Sequence, residues 1–151
     1  MHPVDDSTDL GALFHAAFRG LRRTWSEQLA PWELTPHQWR ALLTLMGRRP
    51  FDATGLEPGG DSMRLKDLAQ RLRIAPRSAT EVVDQLETKG LVQRDSDPTD
   101  RRATLITTTA PGCELFAAIT AQRRDKSSEY FARLSAHDRT ELARILEQLG
   151  E

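Results

Sequence analysis

Within little more than one helical turn the chain carries Pro76, Arg77, Ser78, Thr80 and Glu81. Arginine can bond guanine through two N–H groups, serine and threonine adapt to several base edges, and glutamate can accept from cytosine. Further on, the stretch SDPTDRRATLITT holds Asp100, Arg101 and Arg102 between a proline and a β-branched run. An arginine on a thin projection can enter a narrow minor groove, where the negative potential is enhanced. Asp100 would repel a phosphate, so it is expected to pair with one arginine and leave the other free, with Arg101 as the free one. Arg94 suits either a phosphate contact or packing of the projection. The chemistry these residues could perform is a double grip on duplex DNA.

The elements that must hold them are written in apolar spacing. Leu10, Leu13, Phe14, Ala17, Leu21, Trp25 and Leu29 recur at helical steps, which predicts a long first helix over about 9–30, capped by Thr8 or Asp9 and ended by Pro31. Thr35, Pro36 and Gln38 form a capping box for the next helix, with Leu34 and Trp39 placed as its staple. Residues 49–62 hold two prolines and three glycines and read as a long loop. A short helix through Leu65, Leu68, Ala69 and Leu72 leads by a tight connection into a second helix, residues 76–89, with Ala79, Val82, Val83 and Leu86 inward. Gly90 is a C-terminal stop. Leu91 begins a strand, ATLITT is its partner, and the tip between them is roughly Ser96 to Arg102. Two more helices follow, one capped by Thr109 and one by Ser135.

Helix, tight connection, helix, strand, charged tip, strand is a helix-turn-helix with an appended hairpin. Its second helix fits a major groove while the first braces it. Arg64 to Arg102 contains nine basic and seven acidic residues, an excess of two. That predicts modest non-specific affinity and reliance on shape and base contacts.

Composition narrows the alternatives. With 151 residues, 28% charged and 38% hydrophobic, the chain suits one soluble domain. No apolar run approaches the roughly 20 residues that span a bilayer, and the acidic start MHPVDDSTDL predicts a cytoplasmic protein with no membrane partner. The single Cys113 excludes an internal disulfide, and as a lone thiol in a helix's first turn it reads as inert rather than as an oxidation sensor. His2, His15, His37 and His137 lack metal-ligand spacing, so neither a metal nor a cofactor is expected. There is no nucleophile elbow, phosphate loop or triad, and Asp5, Asp6, Asp95 and Asp97 read as solvated, so an enzyme is disfavoured. Trp25 and Trp39 lie on apolar stripes and read as core, while Trp32 is freer.

From MRLKDLAQRL through IAPRSATEVVDQLETKGLVQRDSDPTDRRATLITTTAPG, with LTPHQWRALLTL before it, the sequence resembles the MarR (multiple antibiotic resistance regulator) family of bacterial transcription factors. The most specific match is DPTDRR between GLVQR and the β-branched strand. The resemblance implies a mainly α fold with a small β-hairpin wing, a winged helix-turn-helix joined to a helical dimerisation region. It implies one domain over 1–151, with dimerisation helices at 9–30 and 110–149, a winged helix-turn-helix at 36–108, a recognition helix at 76–89 and a wing at 91–108. It further implies a homodimer on a pseudo-palindromic operator, acting as a repressor released by a small-molecule effector. Family effectors bind between the dimerisation helices and the winged domain, which makes His15, Trp32 and His37 candidate pocket residues. Glu81 stands where many members carry a basic or neutral polar residue, Thr107 to Thr109 make the strand-to-helix junction more polar than usual, and the 49–62 loop is longer than typical. The other reading the pattern permits is a winged-helix protein–protein adaptor.

Overall fold

Asp9 opens the chain's first helix by accepting the Ala12 N–H at 3.0 Å, which satisfies one of the amides a helix N-terminus leaves open. The computed structural model describes residues 8–47 and 62–150. Asp5, Asp6, His2 and all of the 49–62 loop except Ser62 lie outside the described residues. The helices are α1 (Leu10–Leu29), α2 (Pro36–Leu45), α3 (Leu65–Leu72), α4 (Pro76–Thr88), α5 (Ala110–Phe131) and α6 (Ala136–Leu149), and the strands are β1 (Met63–Arg64), β2 (Val92–Asp97) and β3 (Asp100–Thr108). α1 ends at Leu29, just before Pro31, as expected. Pro31 sits inside a 3-10 turn, Ala30–Trp32, at an early position whose missing N–H costs nothing.

The caps follow the residue chemistry. At α2 the Thr35 hydroxyl accepts the Gln38 N–H and the Gln38 side chain accepts the Thr35 N–H, both at 3.2 Å. Leu34 and Trp39, the expected staple, are both buried. At α6 the Ser135 hydroxyl caps the helix by accepting the Asp138 N–H at 3.0 Å.

The sheet has one strand more than the hairpin expected from sequence. The order is β1-β3-β2, antiparallel, with Met63 opposite Ile106 and Val92 opposite Thr108. Two residues are too few to show alternation, so β1 left no period in the sequence. It has a physical purpose, since a lone two-stranded hairpin is marginal in water. The tip is also shorter than expected: β2 runs to Asp97 and β3 starts at Asp100, so Arg101 and Arg102 lie on the strand rather than in the turn.

The chain divides into two compact units, Met1–Gln28 with Gln122–Glu151, and Leu29–Ala121. In the second, Leu42, Leu45, Leu68, Val83, Leu86, Ile106, Phe116 and Ile119 are fully buried in one cluster. Trp39 stacks on Phe116 with ring centroids 5.1 Å apart, the core role its apolar stripe predicts. In the first unit, Trp25 is half-buried and donates its Nε1–H to the Ser127 hydroxyl at 3.2 Å. The Arg123 guanidinium lies 5.1 Å from the Trp25 ring centroid, and burial lowers its pKa to about 10, so it stays cationic at neutral pH. The Tyr130 hydroxyl donates to the Ala17 carbonyl at 2.8 Å, and Gln28 donates to Gln122 at 3.1 Å.

Candidate nucleic-acid interface

The turn before α4 is built by α3's own C-terminus. Arg73 takes a left-handed conformation, φ 55°, and the Arg73 and Ile74 amides cap the carbonyls of Gln70 and Ala69 at 3.2 and 3.1 Å. Glycine fills this position without strain, whereas a residue with a Cβ is held there at a cost of about 1–2 kcal/mol. Ala75 is extended, as a residue before proline must be, and its side chain caps nothing. The first amides of α4 are therefore left without a side-chain cap, in the arrangement that suits a phosphate oxygen.

Ala79, Val83 and Leu86 bury one face of α4, and helical spacing turns Arg77, Ser78, Thr80 and Glu81 outward, where all four are exposed together with Pro76. Arg77 and Ser78 have no side-chain partner among the described residues. The Thr80 hydroxyl donates to the Pro76 carbonyl at 3.0 Å, so its proton is occupied and its lone pairs are open. Gln38 braces the helix from behind, donating to Gln85 at 2.8 Å. Lys89 donates to Gln38 at 3.3 Å and also to the Glu33 carbonyl. Gly90, at φ 73°, closes α4 with the Gly90 and Leu91 amides on the carbonyls of Glu87 and Leu86 at 2.9 and 3.0 Å.

The wing is fixed at its root. The Leu91 carbonyl accepts the Thr109 N–H at 3.0 Å and the Gly90 carbonyl accepts the Thr109 hydroxyl at 2.6 Å. A Cβ on Gly112 would stand 2.1 Å from the Leu91 carbonyl oxygen, so only glycine lets the start of α5 approach this close.

The tip is fixed by residues the sequence reading overlooked. Asp97 is buried. Its carboxylate accepts from the Thr99 N–H and hydroxyl at 2.8 and 2.7 Å, and from Arg64 Nε and Nη2 at 2.8 and 2.7 Å. These bonds, Thr99's first, hold the Asp97 carboxyl below its ordinary pKa. Asp97 had read as solvated, because its cation lies 33 positions away on β1. Asp-Pro-Thr does carry a signal, since aspartate commonly bonds the backbone two residues on. Asp100 also departs from expectation. It accepts the Arg102 backbone N–H at 3.0 Å and forms no ion pair with either arginine among the described residues. Arg101 and Arg102 are exposed, their guanidiniums have no partner among the described residues, and as neighbours on β3 they project to opposite faces.

Arg94 is committed elsewhere. Its Nη1 pairs with Glu87 at 3.0 Å, its Nη2 pairs with Asp84, and its backbone N–H donates to Glu87 at 3.2 Å. The proposed effector residues fall into both units. His15 is exposed on α1, Trp32 is half-buried in the 3-10 turn against the core of its own unit, and His37 is exposed in the first turn of α2. Cys113 is half-buried in the first turn of α5. Among the described residues no group of three or more acids, histidines or cysteines could hold a metal, and no helix is long and apolar enough to cross a membrane.

Residues 60–104, which hold α3, α4 and most of the hairpin, match the MarR family model. A putative transcriptional regulatory protein for the hcr operon of Thauera aromatica is 38% identical over 82 residues, 54% of this chain, and the chain spans about half the length of that relative (49%). The transcriptional repressor Rv2887 of Mycobacterium tuberculosis is 30% identical over 145 residues, 96% of each chain. The solved complex of Rv2887 with salicylic acid superposes with a TM-score of 0.67 at 27% identity over 97% of this chain and 99% of that one. Wild-type MarR of E. coli superposes with a TM-score of 0.75 at 24% identity over 96% and 98%. A relative of this identity aligned along nearly its whole length, together with a winged fold shared end to end, places the chain in the MarR family of transcriptional regulators.

Proposed function

We propose that the chain works as a homodimeric repressor that grips a pseudo-palindromic operator with α4 in the major groove and the wing in the minor groove. One observation carries this reading. Arg77 and Ser78 on the open end of α4, and Arg101 and Arg102 on the wing, are exposed polar groups without partners among the described residues, mounted on elements that are themselves tightly braced. Pro76, Thr80 and Glu81 complete the α4 contact surface, and Asp100 shapes the strand that carries the arginines. Two copies would set their α4 helices about 34–36 Å apart, one turn of duplex.

The second copy is supported by Leu10, Leu13, Phe14, Ile145, Leu146 and Leu149, large apolar side chains left exposed in the first unit. The effector class is a small aromatic acid, by analogy with the salicylic acid and p-aminosalicylic acid complexes of Rv2887. His15, Trp32 and His37 are the proposed contacts. An effector acts only through different affinities for the DNA-competent and incompetent shapes.

A mobility-shift titration against the DNA upstream of the chain's own gene tests the reading. Each phosphate contact adds about −0.9 to the slope of log affinity against log salt, so a steep slope is expected. A flat one replaces the reading with the protein–protein adaptor. Salicylate is expected to release the DNA from the wild type and to release it less effectively from Trp32→Ala.

A further inference from the structure

We infer that Arg94 is a positioning residue, which sets the pose of the recognition helix against the wing, and that it does not contact phosphate. The inference rests on the DNA-binding reading and assigns one residue a role within it. β2 is an edge strand, and an edge amide facing away from its partner strand is an open donor. The Arg94 amide is closed by Glu87 Oε2 at 3.2 Å. Its guanidinium then reaches across two turns of α4, pairing with Glu87 Oε1 at 3.0 Å, pairing with Asp84, and donating to the Thr80 carbonyl at 3.4 Å. With the side chain only 25% exposed, the planar fork is spent on the protein.

Asp84 and Glu87 lie on the helix proposed to enter the groove. Bound to Arg94, they become the joint that fixes α4 to β2, and with it the offset between Arg77 and the wing arginines. A loss of 1 Å in such alignment weakens both grips together, with no phosphate contact removed.

The test uses the full-length chain and the duplex that the wild type enriches from a random-sequence pool, titrated at several salt concentrations. Arg94→Ala is expected to weaken binding roughly tenfold while keeping the wild-type salt slope, whereas a lost phosphate contact lowers that slope by about 0.9. Arg94→Lys is expected not to rescue, because one ammonium cannot hold acceptors on two turns, although it would serve a phosphate as a point charge. Neutralising the acids together, Asp84→Asn with Glu87→Gln, gives opposite signs on the two readings. It weakens binding if the joint positions the helix, and strengthens it if the acids merely sit near a polyanion. Arg94→Ala added to that pair is expected to cost little more. A fall in slope, rescue by lysine, or tighter binding by the neutralised pair would overturn the inference. If Arg94→Ala proves unfolded in a thermal melt, the lysine and acid variants decide alone. A wild type that enriches no duplex removes the DNA-binding reading and the inference with it, and that outcome is separate from any slope or rescue result.

Discussion

The two units of the chain are built on opposite terms. Every buried hydrophobic side chain among the described residues lies between Leu29 and Ile119, inside the winged unit. Among its described residues the helical unit buries only Gln28. Its internal contacts include polar ones: a glutamine pair, an indole on a serine, a guanidinium over that indole, and a tyrosine hydroxyl on a carbonyl. Leu10, Leu13, Phe14, Ile145, Leu146 and Leu149 face outward. The proposed second copy would cover the apolar side chains that the helical unit leaves in water.

That contrast can be broken most sharply from the inside. Phe116→Ala in the winged unit is expected to lower unfolding stability by about 3–5 kcal/mol, read from urea denaturation; a loss below about 1 kcal/mol would mean the core is not held where it is placed. Gly112→Ala comes next. The new methyl meets backbone rather than a flexible side chain, so about 1–3 kcal/mol should be lost, and hydrogen exchange should locate the loosening at Leu91 and Thr109.

Asp97 gives a pH signature. Its folded pKa lies below the ordinary 3.8, so its contribution to stability is fully present above that value and disappears as pH falls through the folded value. Asp97→Asn should unfold more easily than the wild type at pH 7, and the gap should narrow as pH drops below 3.8. A gap that stays constant would exclude the carboxylate as the source.

The smallest effect on the winged unit should come from Phe14→Asp in the helical unit. Exchange protection of the α2 and α3 amides should shift by only about 0.5 kcal/mol in the isolated protomer, as for ordinary surface changes. The same substitution should abolish the rise of Tm with protein concentration that a dimer shows. If the rise persists, the outward leucines have another use.

Local chemistry was legible in the sequence, and pairing at a distance was not. Thr35 with Gln38, Asp9, Gly90 and the inward spacing of Ala79, Val83 and Leu86 act within a turn or two, and they stand as their residue types predict. The family resemblance stood on DPTDRR and its flanks, and the relatives along the whole chain agree with it. The partner of Asp97 was out of reach because Arg64 arrives through a strand two residues long. The acids near the tip therefore looked alike; the ion pair expected between Asp100 and a wing arginine is absent among the described residues, and Asp97 pairs with Arg64 instead. Arg94 was ambiguous for a related reason. Only the fold brings β2 alongside Asp84 and Glu87.

The clamped root of the hairpin gives the wing the mechanics of a cantilever. Thr109 is bonded to the carbonyls of Gly90 and Leu91, Arg94 is a strut part-way along, and Arg64 is a strut at the free end. The beam's length is quantised. Removing one residue from each strand flips every side chain beyond the cut to the other face, so the working lengths differ by two residues per strand, about 6.6 Å. A wing fitted to a different groove depth has to be shorter or longer by that step, with the arginines carried along unrotated.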